Sequence, residues 1–69
     1  MKPEELAKLN NYFRKTFGLQ TIAVRKRPQK DDSCEVYIGD EFIGVISKDE
    51  EDGELSYHFS MAILDIDLE

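Results

Sequence analysis

The apolar positions near the start of the chain repeat at helical spacing. Between residues 3 and 17 they lie three or four positions apart, at Leu6, Leu9, Phe13 and Phe17. Pro3 suits the first position of a helix, and Gly18 suits the residue that follows its end. The pattern therefore predicts an amphipathic helix over residues 3–17.

After residue 20 the apolar and polar positions alternate, which is the period of a β-strand. The alternating runs predict strands over about residues 20–27, 34–38, 41–47 and 55–67. Turn residues separate these runs, so neighbouring strands are expected to pair antiparallel. The prediction is an α+β fold with an N-terminal helix packed on one face of a four-stranded antiparallel meander sheet, in the order α-β-β-β-β.

The two central strands form a predicted hairpin around Gly39-Asp40, a pair that suits a two-residue turn. In that register Val36 faces Ile43 and Tyr37 faces Phe42. One face of the sheet then carries Cys34, Val36, Ile38, Ile43 and Val45. The opposite face carries Tyr37, Phe42 and Ile46.

This second apolar face is the candidate interaction surface, because one helix can cover only one side of the sheet. Its residues are Tyr37, Phe42 and Ile46. The alternative is that sheet twist and the end of the chain bury these side chains within the monomer. The sequence alone leaves monomer and dimer open.

The alternation in the last strand changes phase between Ala62 and Leu64. One inserted residue, a β-bulge, would produce this change within a strand that runs on to residue 67. Alternatively, residues 64–69 leave the sheet and pack elsewhere. Leu64, Ile66 and Leu68 are apolar in either case.

The size and cysteine content limit the architecture. With 69 residues the chain is expected to form a single domain over residues 1–69, with a small core. Cys34 is the only cysteine, so no internal disulfide can form, and a lone thiol favours the reducing cytoplasm. No apolar stretch is long enough to cross a membrane.

Catalytic groups are scarce. A nucleophilic dyad of Cys34 and His58 would require two residues on different strands to converge, and nothing in their spacing indicates this. A buried, inert Cys34 and a surface His58 are favoured. We therefore predict that the protein is not an enzyme and has no catalytic residues.

The acidic run at residues 49–52 resembles part of a calcium loop, but the register does not fit. With Gly53 at the sixth position, Lys48 and Phe59 fall at the first and twelfth, where a ligand is required. A solvated turn is favoured over a metal site. Phosphate-binding and dinucleotide motifs are absent from the sequence, so no cofactor or small-molecule ligand is predicted.

Charge is distributed unevenly along the chain. Residues 1–30 carry eight Lys or Arg and two Glu, a sum of +6, whereas residues 31–69 carry one Lys and thirteen acids, a sum of −12. Arg25, Arg27 and Lys30 could contact nucleic-acid phosphates. No nucleic-acid-binding motif surrounds them, and the net charge of −6 opposes binding to a polyanion.

Several segments resemble a known family. MKPEEL, YFRKTFG, IGDEFIG and MAILDIDLE are similar to the small alphaproteobacterial protein family catalogued as domain-of-unknown-function family three-one-two-six. The resemblance spans nearly the whole chain and implies a stand-alone bacterial protein. It implies no activity, cofactor or site residue.

Together these features favour a non-enzymatic protein-interaction module. We expect a homodimer formed through the second sheet face or the last strand, because a small core gains stability from a second copy. An RNA- or ribosome-associated accessory protein that uses Arg25, Arg27 and Lys30 is the alternative from another class. An enzyme is the least favoured.

Overall fold

The computed structural model describes residues 1–51 and 53–68, so Asp52 of the predicted acidic turn and Glu69 lie outside it. One helix precedes an open antiparallel sheet with the strand order β1-β2-β3-β4. The predicted α+β arrangement is confirmed. The elements are α1 (Pro3–Phe17), β1 (Ile22–Lys26), β2 (Ser33–Ile38), β3 (Glu41–Asp49), β4 (Ser56–Ser60) and a 3-10 helix (Asp65–Leu68).

Helix α1 begins and ends where the sequence predicts. In its first turn the Lys2 backbone N–H donates to the Glu5 carboxylate over 3.2 Å. At its end Gly18 adopts the left-handed conformation with φ 67°, which glycine reaches without steric cost. Leu9 and Phe13 of the predicted stripe are buried, so this stripe faces the sheet.

The core lies between α1 and the covered face of the sheet. Phe13 meets Phe59 of β4 edge to face, with the ring centroids 5.3 Å apart. Phe17, the last member of the predicted stripe, remains half exposed. The buried apolar residues are Leu9, Phe13, Ile22, Val24, Cys34, Val36 and Ile46.

One carboxylate ties the first turn of α1 to β3 and β4. The Lys48 ammonium lies 2.8 Å from Glu5 Oε2, and the Tyr57 hydroxyl donates to the same oxygen over 2.6 Å. These bonds, with the one from the Lys2 backbone, favour the ionised form and lower the pKa of Glu5 to about 2. These contacts link the start of the helix to β3 and β4, the two strands farthest from β1 in the sheet.

A β-bulge in β3 changes the predicted hairpin register. Tyr37 faces Phe42 as predicted, but Val36 faces Gly44 and not Ile43. Ile43 is the extra residue of the bulge. Because side chains alternate between the faces, one extra residue moves the following β3 side chains to the face opposite the predicted one.

The predictions for Ile46 and Val45 are therefore wrong. Ile46 pairs with Cys34 and is fully buried on the covered face. Val45 pairs with Glu35 on the outer face of the sheet, the face that α1 does not cover. The predicted ends of β1, β2 and β3 lie within two residues of the observed ones, and the end of β2 and the start of β3 coincide with them.

The last strand is much shorter than the predicted strand over 55–67. It ends at Ser60, and the predicted bulge near residues 62–64 is absent from it. The chain leaves the sheet directly over Gly44, where a Cβ would lie 2.5 Å from the Ser60 carbonyl oxygen and 2.6 Å from the Phe59 ring. Only glycine permits this close approach.

Candidate functional site

The outer face of the sheet holds two of the three predicted interaction residues. Tyr37 and Phe42 pack edge to face, with their ring centroids 5.7 Å apart. Phe42 is half exposed, and Tyr37 is half-buried. Ile46 lies in the core on the other side of the sheet. The structure therefore brings Tyr37 and Phe42 together but separates Ile46 from them.

The predicted basic residues are partly engaged within the chain. The Arg25 guanidinium lies 4.3 Å from the centre of the Tyr37 ring, which is a cation–π contact. Arg27 lies 3.9 Å from the Glu35 carboxylate. Lys30 is exposed in the loop between β1 and β2. Two of the three cations thus have intramolecular partners.

The same patch of the outer face contains a second polar contact. The Tyr37 hydroxyl donates to the Glu35 carboxylate over 3.0 Å. This hydrogen bond raises the pKa of Tyr37, because deprotonation would remove the bond. The polar groups around Tyr37 on the outer face are therefore already paired with one another. This part of the face is less apolar than the sequence indicates.

Cys34 and His58 lie on opposite faces of the sheet. Cys34 is fully buried in the core, as predicted, and burial raises the pKa of its thiol. His58 is exposed and pairs with Ser47 on β3. A thiol that is neutral and enclosed is a poor nucleophile, and the sheet separates it from the imidazole.

Three polar side chains that the sequence did not group meet on the outer face. His58 Nε2 lies 3.3 Å from the Ser56 hydroxyl and 3.5 Å from an Asp49 carboxylate oxygen. In a hydrolytic triad the hydroxyl and the carboxylate contact different ring nitrogens. Here both contact the same nitrogen, so the arrangement lacks the geometry of a triad. Alternation groups Ser56 with His58, but only the β3–β4 register adds Asp49.

Neither a metal cluster nor a membrane-spanning helix occurs in the described part of the chain. Within residues 1–51 and 53–68, no three His, Cys, Asp or Glu side chains are placed to hold a metal ion. Over the same residues, no helix has the length and apolar character needed to cross a membrane. In the acidic turn, the Glu51 backbone N–H donates to the Asp49 carboxylate over 2.9 Å.

The segment after β4 exposes its apolar side chains. Leu64, Ile66 and Leu68 expose 60%, 69% and 73% of their surface. The segment leaves the sheet, as one of the two sequence predictions stated, but it does not bury these residues elsewhere. We define the tail surface as the exposed apolar residues of this segment together with Phe42, which lines the same hollow as Met61 and Leu64: Phe42, Met61, Ile63, Leu64, Ile66 and Leu68.

The tail surface includes an open hollow beside the first residues of β3. Phe42, Met61 and Leu64 line this hollow together with the backbone near Gly44. The Asp67 carboxylate also lines it, and it accepts a hydrogen bond of 2.9 Å from the Leu64 backbone N–H. The side chain of Asp67 thus fixes the turn that presents Leu64 to solvent.

The two edges of the sheet differ. At β1 the Asn10 side chain replaces a strand: Val24 N–H donates to its Oδ1 over 2.8 Å, and its Nδ2 donates to the Val24 carbonyl over 3.2 Å. Arg14 Nε donates to the Ile22 carbonyl over 3.0 Å. Helix side chains therefore cover the backbone groups of this edge at Val24 and the carbonyl of Ile22. In the described residues, β4 has a strand neighbour on one side only.

A comparison with known protein families matches most of the chain. Residues 5–67 match the family model described as "Protein of unknown function (DUF3126)", which covers most of the 69 residues. The chain belongs to the DUF3126 family. The family predicted from the IGDEFIG and MAILDIDLE segments is thus confirmed. No curated protein and no solved structure matches the chain significantly.

Membership of DUF3126 assigns no role to any residue, so the candidate site rests on geometry. In this DUF3126 chain the sequence identified Leu64, Ile66 and Leu68 as apolar and left open whether they continue the last strand or leave the sheet. The closure of the β1 edge gave no sequence signal, because Asn10 reads as an ordinary polar residue beside the apolar stripe of α1.

Proposed function

We propose that the protein is a non-enzymatic protein-interaction module that docks through the tail surface. The observation that carries the proposal is the joint exposure of Leu64, Ile66 and Leu68 in one short segment. Apolar side chains gain free energy when they leave water, and a contiguous exposed patch of them usually marks an interface. A partner that covers the tail surface provides that burial.

The overall dimensions support the proposal. The chain exposes 5503 Å² of accessible surface at a mass of 8.0 kDa, whereas a compact monomer of this mass exposes about 4,500 Å². The radius of gyration is 12.7 Å, compared with about 11 Å for a compact chain of this length. The excess surface of about 1,000 Å² is similar to the roughly 800 Å² that one partner buries in a standard interface.

The placement of the reactive groups supports binding over catalysis. Cys34 is enclosed in the core, and His58 Nε2 is shared between Ser56 and Asp49. The free thiol also favours the cytoplasm as the compartment in which the module acts, since cysteines stay reduced there.

The charges favour a protein partner over RNA. Arg25 and Arg27, two of the three predicted phosphate contacts, already have partners in Tyr37 and Glu35. The net charge of −6 repels a polyanion, and Asp65 and Asp67 lie within the segment that carries the tail surface. A partner with an apolar face and without a strong negative charge fits this surface.

In-cell crosslinking with two matched double variants tests the proposal. Tagged wild-type chain is crosslinked in its native cell, captured, and compared with Leu64→Glu/Ile66→Glu and with Arg25→Glu/Lys30→Glu. All four positions are exposed, so both variants are expected to keep the fold. A second, differently tagged copy is coexpressed so that self-capture is counted, and nuclease treatment separates protein partners from RNA.

We expect the Leu64→Glu/Ile66→Glu variant to lose a protein partner, either another protein or the second copy, that the Arg25→Glu/Lys30→Glu variant retains. The opposite pattern, with loss of nuclease-sensitive material in the second variant alone, would favour the RNA alternative. Identical capture by all three chains would contradict docking through the tail surface.

A further inference from the structure

The free edge of β4 lacks the features that normally prevent strand addition. An edge strand presents unpaired backbone N–H and C=O groups, and proteins protect such edges with Lys, Pro, bulges or covering elements. β4 reads Ser-Tyr-His-Phe-Ser and contains no Pro and no Lys, Arg, Asp or Glu. The β1 edge, by contrast, is covered by Asn10 and Arg14. Of the two edges, β4 is therefore the less protected against strand addition.

The side chains of β4 are symmetric about its centre. His58 is the middle residue, an aromatic residue stands on each side of it, and a serine stands at each end. Turning the strand by a two-fold rotation about His58 exchanges Tyr57 with Phe59 and Ser56 with Ser60. The symmetry continues outward, because Leu55 and Met61 occupy equivalent positions and are 53% and 49% exposed.

Beyond docking through the tail surface, and at a different surface, we infer that a second copy of this chain pairs antiparallel along β4 with the two-fold axis at His58. In this register Tyr57 faces Phe59 of the second copy, and Ser56 faces its Ser60. Aromatic residues thus meet aromatic residues on the face that carries α1, and small polar residues meet on the outer face. On the outer face the axis also places His58 opposite His58 of the second copy.

The apolar residues beyond the strand ends extend the contact. Leu55 comes next to Met61 of the second copy, and Met61 next to its Leu55, so four half-exposed side chains pair across the axis. Strand pairing at β4 would bury part of the surface, about 1,000 Å² in all, by which the chain exceeds a compact monomer of its mass.

The assembly closes at two copies. Joining two β4 edges gives one continuous eight-stranded sheet whose outer edges are the two β1 strands. Asn10 and Arg14 bond to the backbone of each β1 at Val24 and at Ile22, which disfavours the addition of a third copy. The axis of antiparallel edge pairing is perpendicular to the sheet, and both α1 helices therefore lie on the same face.

A charge-swap experiment tests this register. Ser56 and Ser60 are exposed on the outer face, and each faces the other across the proposed axis. The variant Ser56→Lys/Ser60→Lys opposes like charges at two symmetric places. The variant Ser56→Lys/Ser60→Glu opposes a cation to a carboxylate at the same two places. Masses of both variants and of the wild type are measured by sedimentation equilibrium from roughly 1 µM to roughly 200 µM.

We expect the wild type to change from monomer to dimer as concentration rises, and to form nothing larger. The lysine–lysine variant should associate about tenfold more weakly than the lysine–glutamate variant, since opposite charges across strands attract and like charges repel. Net charge alone would have the opposite effect. Two added lysines change the net charge from −6 to −4 and so reduce the repulsion between two copies. A difference in the expected direction therefore reports the local contact.

Two outcomes would overturn the inference, and neither is the outcome that contradicts the proposed function. A wild-type chain that stays monomeric at every concentration has no second copy as its partner. A wild type that dimerises while both double variants associate equally does not use this register. In either case, loss of a captured protein from the Leu64→Glu/Ile66→Glu variant would still support the interaction module.

Discussion

Glu5 shows how a single side chain can hold a helix on a sheet. Its carboxylate receives Lys48 of β3 at 2.8 Å and the Tyr57 hydroxyl of β4 at 2.6 Å, and it also accepts the Lys2 backbone N–H. All three contacts favour the ionised form, so the pKa falls from 4.5 to about 2. The same bonds raise the pKa values of Lys48 and Tyr57, because each partner stabilises the protonated donor.

This pKa shift predicts a pH dependence for Glu5→Gln. A carboxyl group whose folded pKa is lowered stabilises the fold fully above its ordinary value of 4.5, and the contribution is lost as pH falls toward 2. Near neutral pH the variant should have a lower free energy of unfolding than the wild type. The difference should shrink between pH 4.5 and pH 2, as measured by urea unfolding of both chains. If the difference in the free energy of unfolding stays constant over this range, ionisation of Glu5 is not the source of the stabilisation.

Gly44 has no room for a side chain because the backbone at Ser60 lies against it. A Cβ at this position would lie 2.5 Å from the Ser60 carbonyl oxygen, which is backbone and cannot rotate away. Gly44→Ala should therefore destabilise the fold by roughly 1–3 kcal/mol, as overpacking does. Thermal unfolding measures the effect, and Ser47→Ala, at an exposed position of the same strand, is the control. Equal stability of the two variants would mean that β4 shifts at little cost.

Among the elements, α1 has two separate tasks. One stripe of the helix supplies Leu9 and Phe13, two of the seven buried apolar residues in the described part of the chain. A neighbouring row, with Asn10 and Arg14, lies along β1 and hydrogen bonds to its backbone at Val24 and at Ile22. The helix therefore acts both as a cover for one face of the sheet and as the missing neighbour of its first strand.

Two adjacent asparagines allow this second task to be tested. Asn10→Ala removes both partners of the Val24 backbone, which should cost roughly 1–3 kcal/mol in stability. It should also expose the β1 edge, so that association continues past the dimer. Asn11→Ala changes the same residue type at an exposed helix position and should do neither. Chemical unfolding and light scattering measure the two effects, and a stable variant of unchanged mass would contradict the role of Asn10.

At the scale of the whole molecule, charge opposes self-association. Each copy carries a net charge of −6, and the acids concentrate in the part of the chain that includes β4 and the tail surface. Two copies paired along β4 bring these acidic regions together. In the proposed dimer, apolar burial and backbone hydrogen bonds would therefore drive the association against a long-range repulsion.

Added salt should consequently strengthen the dimer. Salt screens repulsion between charges farther apart than about 10 Å at 0.1 M, and it does not weaken apolar burial. The dissociation constant from sedimentation should fall as sodium chloride rises from roughly 0.02 M to roughly 0.3 M. Binding to RNA would respond in the opposite direction, because counterion release is then lost. Association that weakens with salt would therefore count against the β4 dimer.

The fold was largely predictable from local patterns, and the candidate site only in part. The helical stripe located α1, the Gly39-Asp40 pair located the hairpin, and alternation located the strands. The predicted interaction residues Tyr37 and Phe42 do lie together, but Ile46 does not. The face of the sheet that Ile46 occupies depends on a bulge. The alternation of apolar and polar residues does not show whether the extra residue lies in β3 or in β4.

The sequence by itself determined the elements that depend on near neighbours: the helix with its ends, the turns and the order of the strands. Tertiary structure alone decided that the bulge falls at Ile43, that β4 stops at Ser60 over Gly44, and that Asn10 closes the β1 edge. The physical reason is that each of these depends on contact between segments distant in sequence. Local spacing determines which face a side chain can take within one strand. Local spacing does not determine which segment lies beside each strand. That arrangement decides which edge of the sheet has no neighbour.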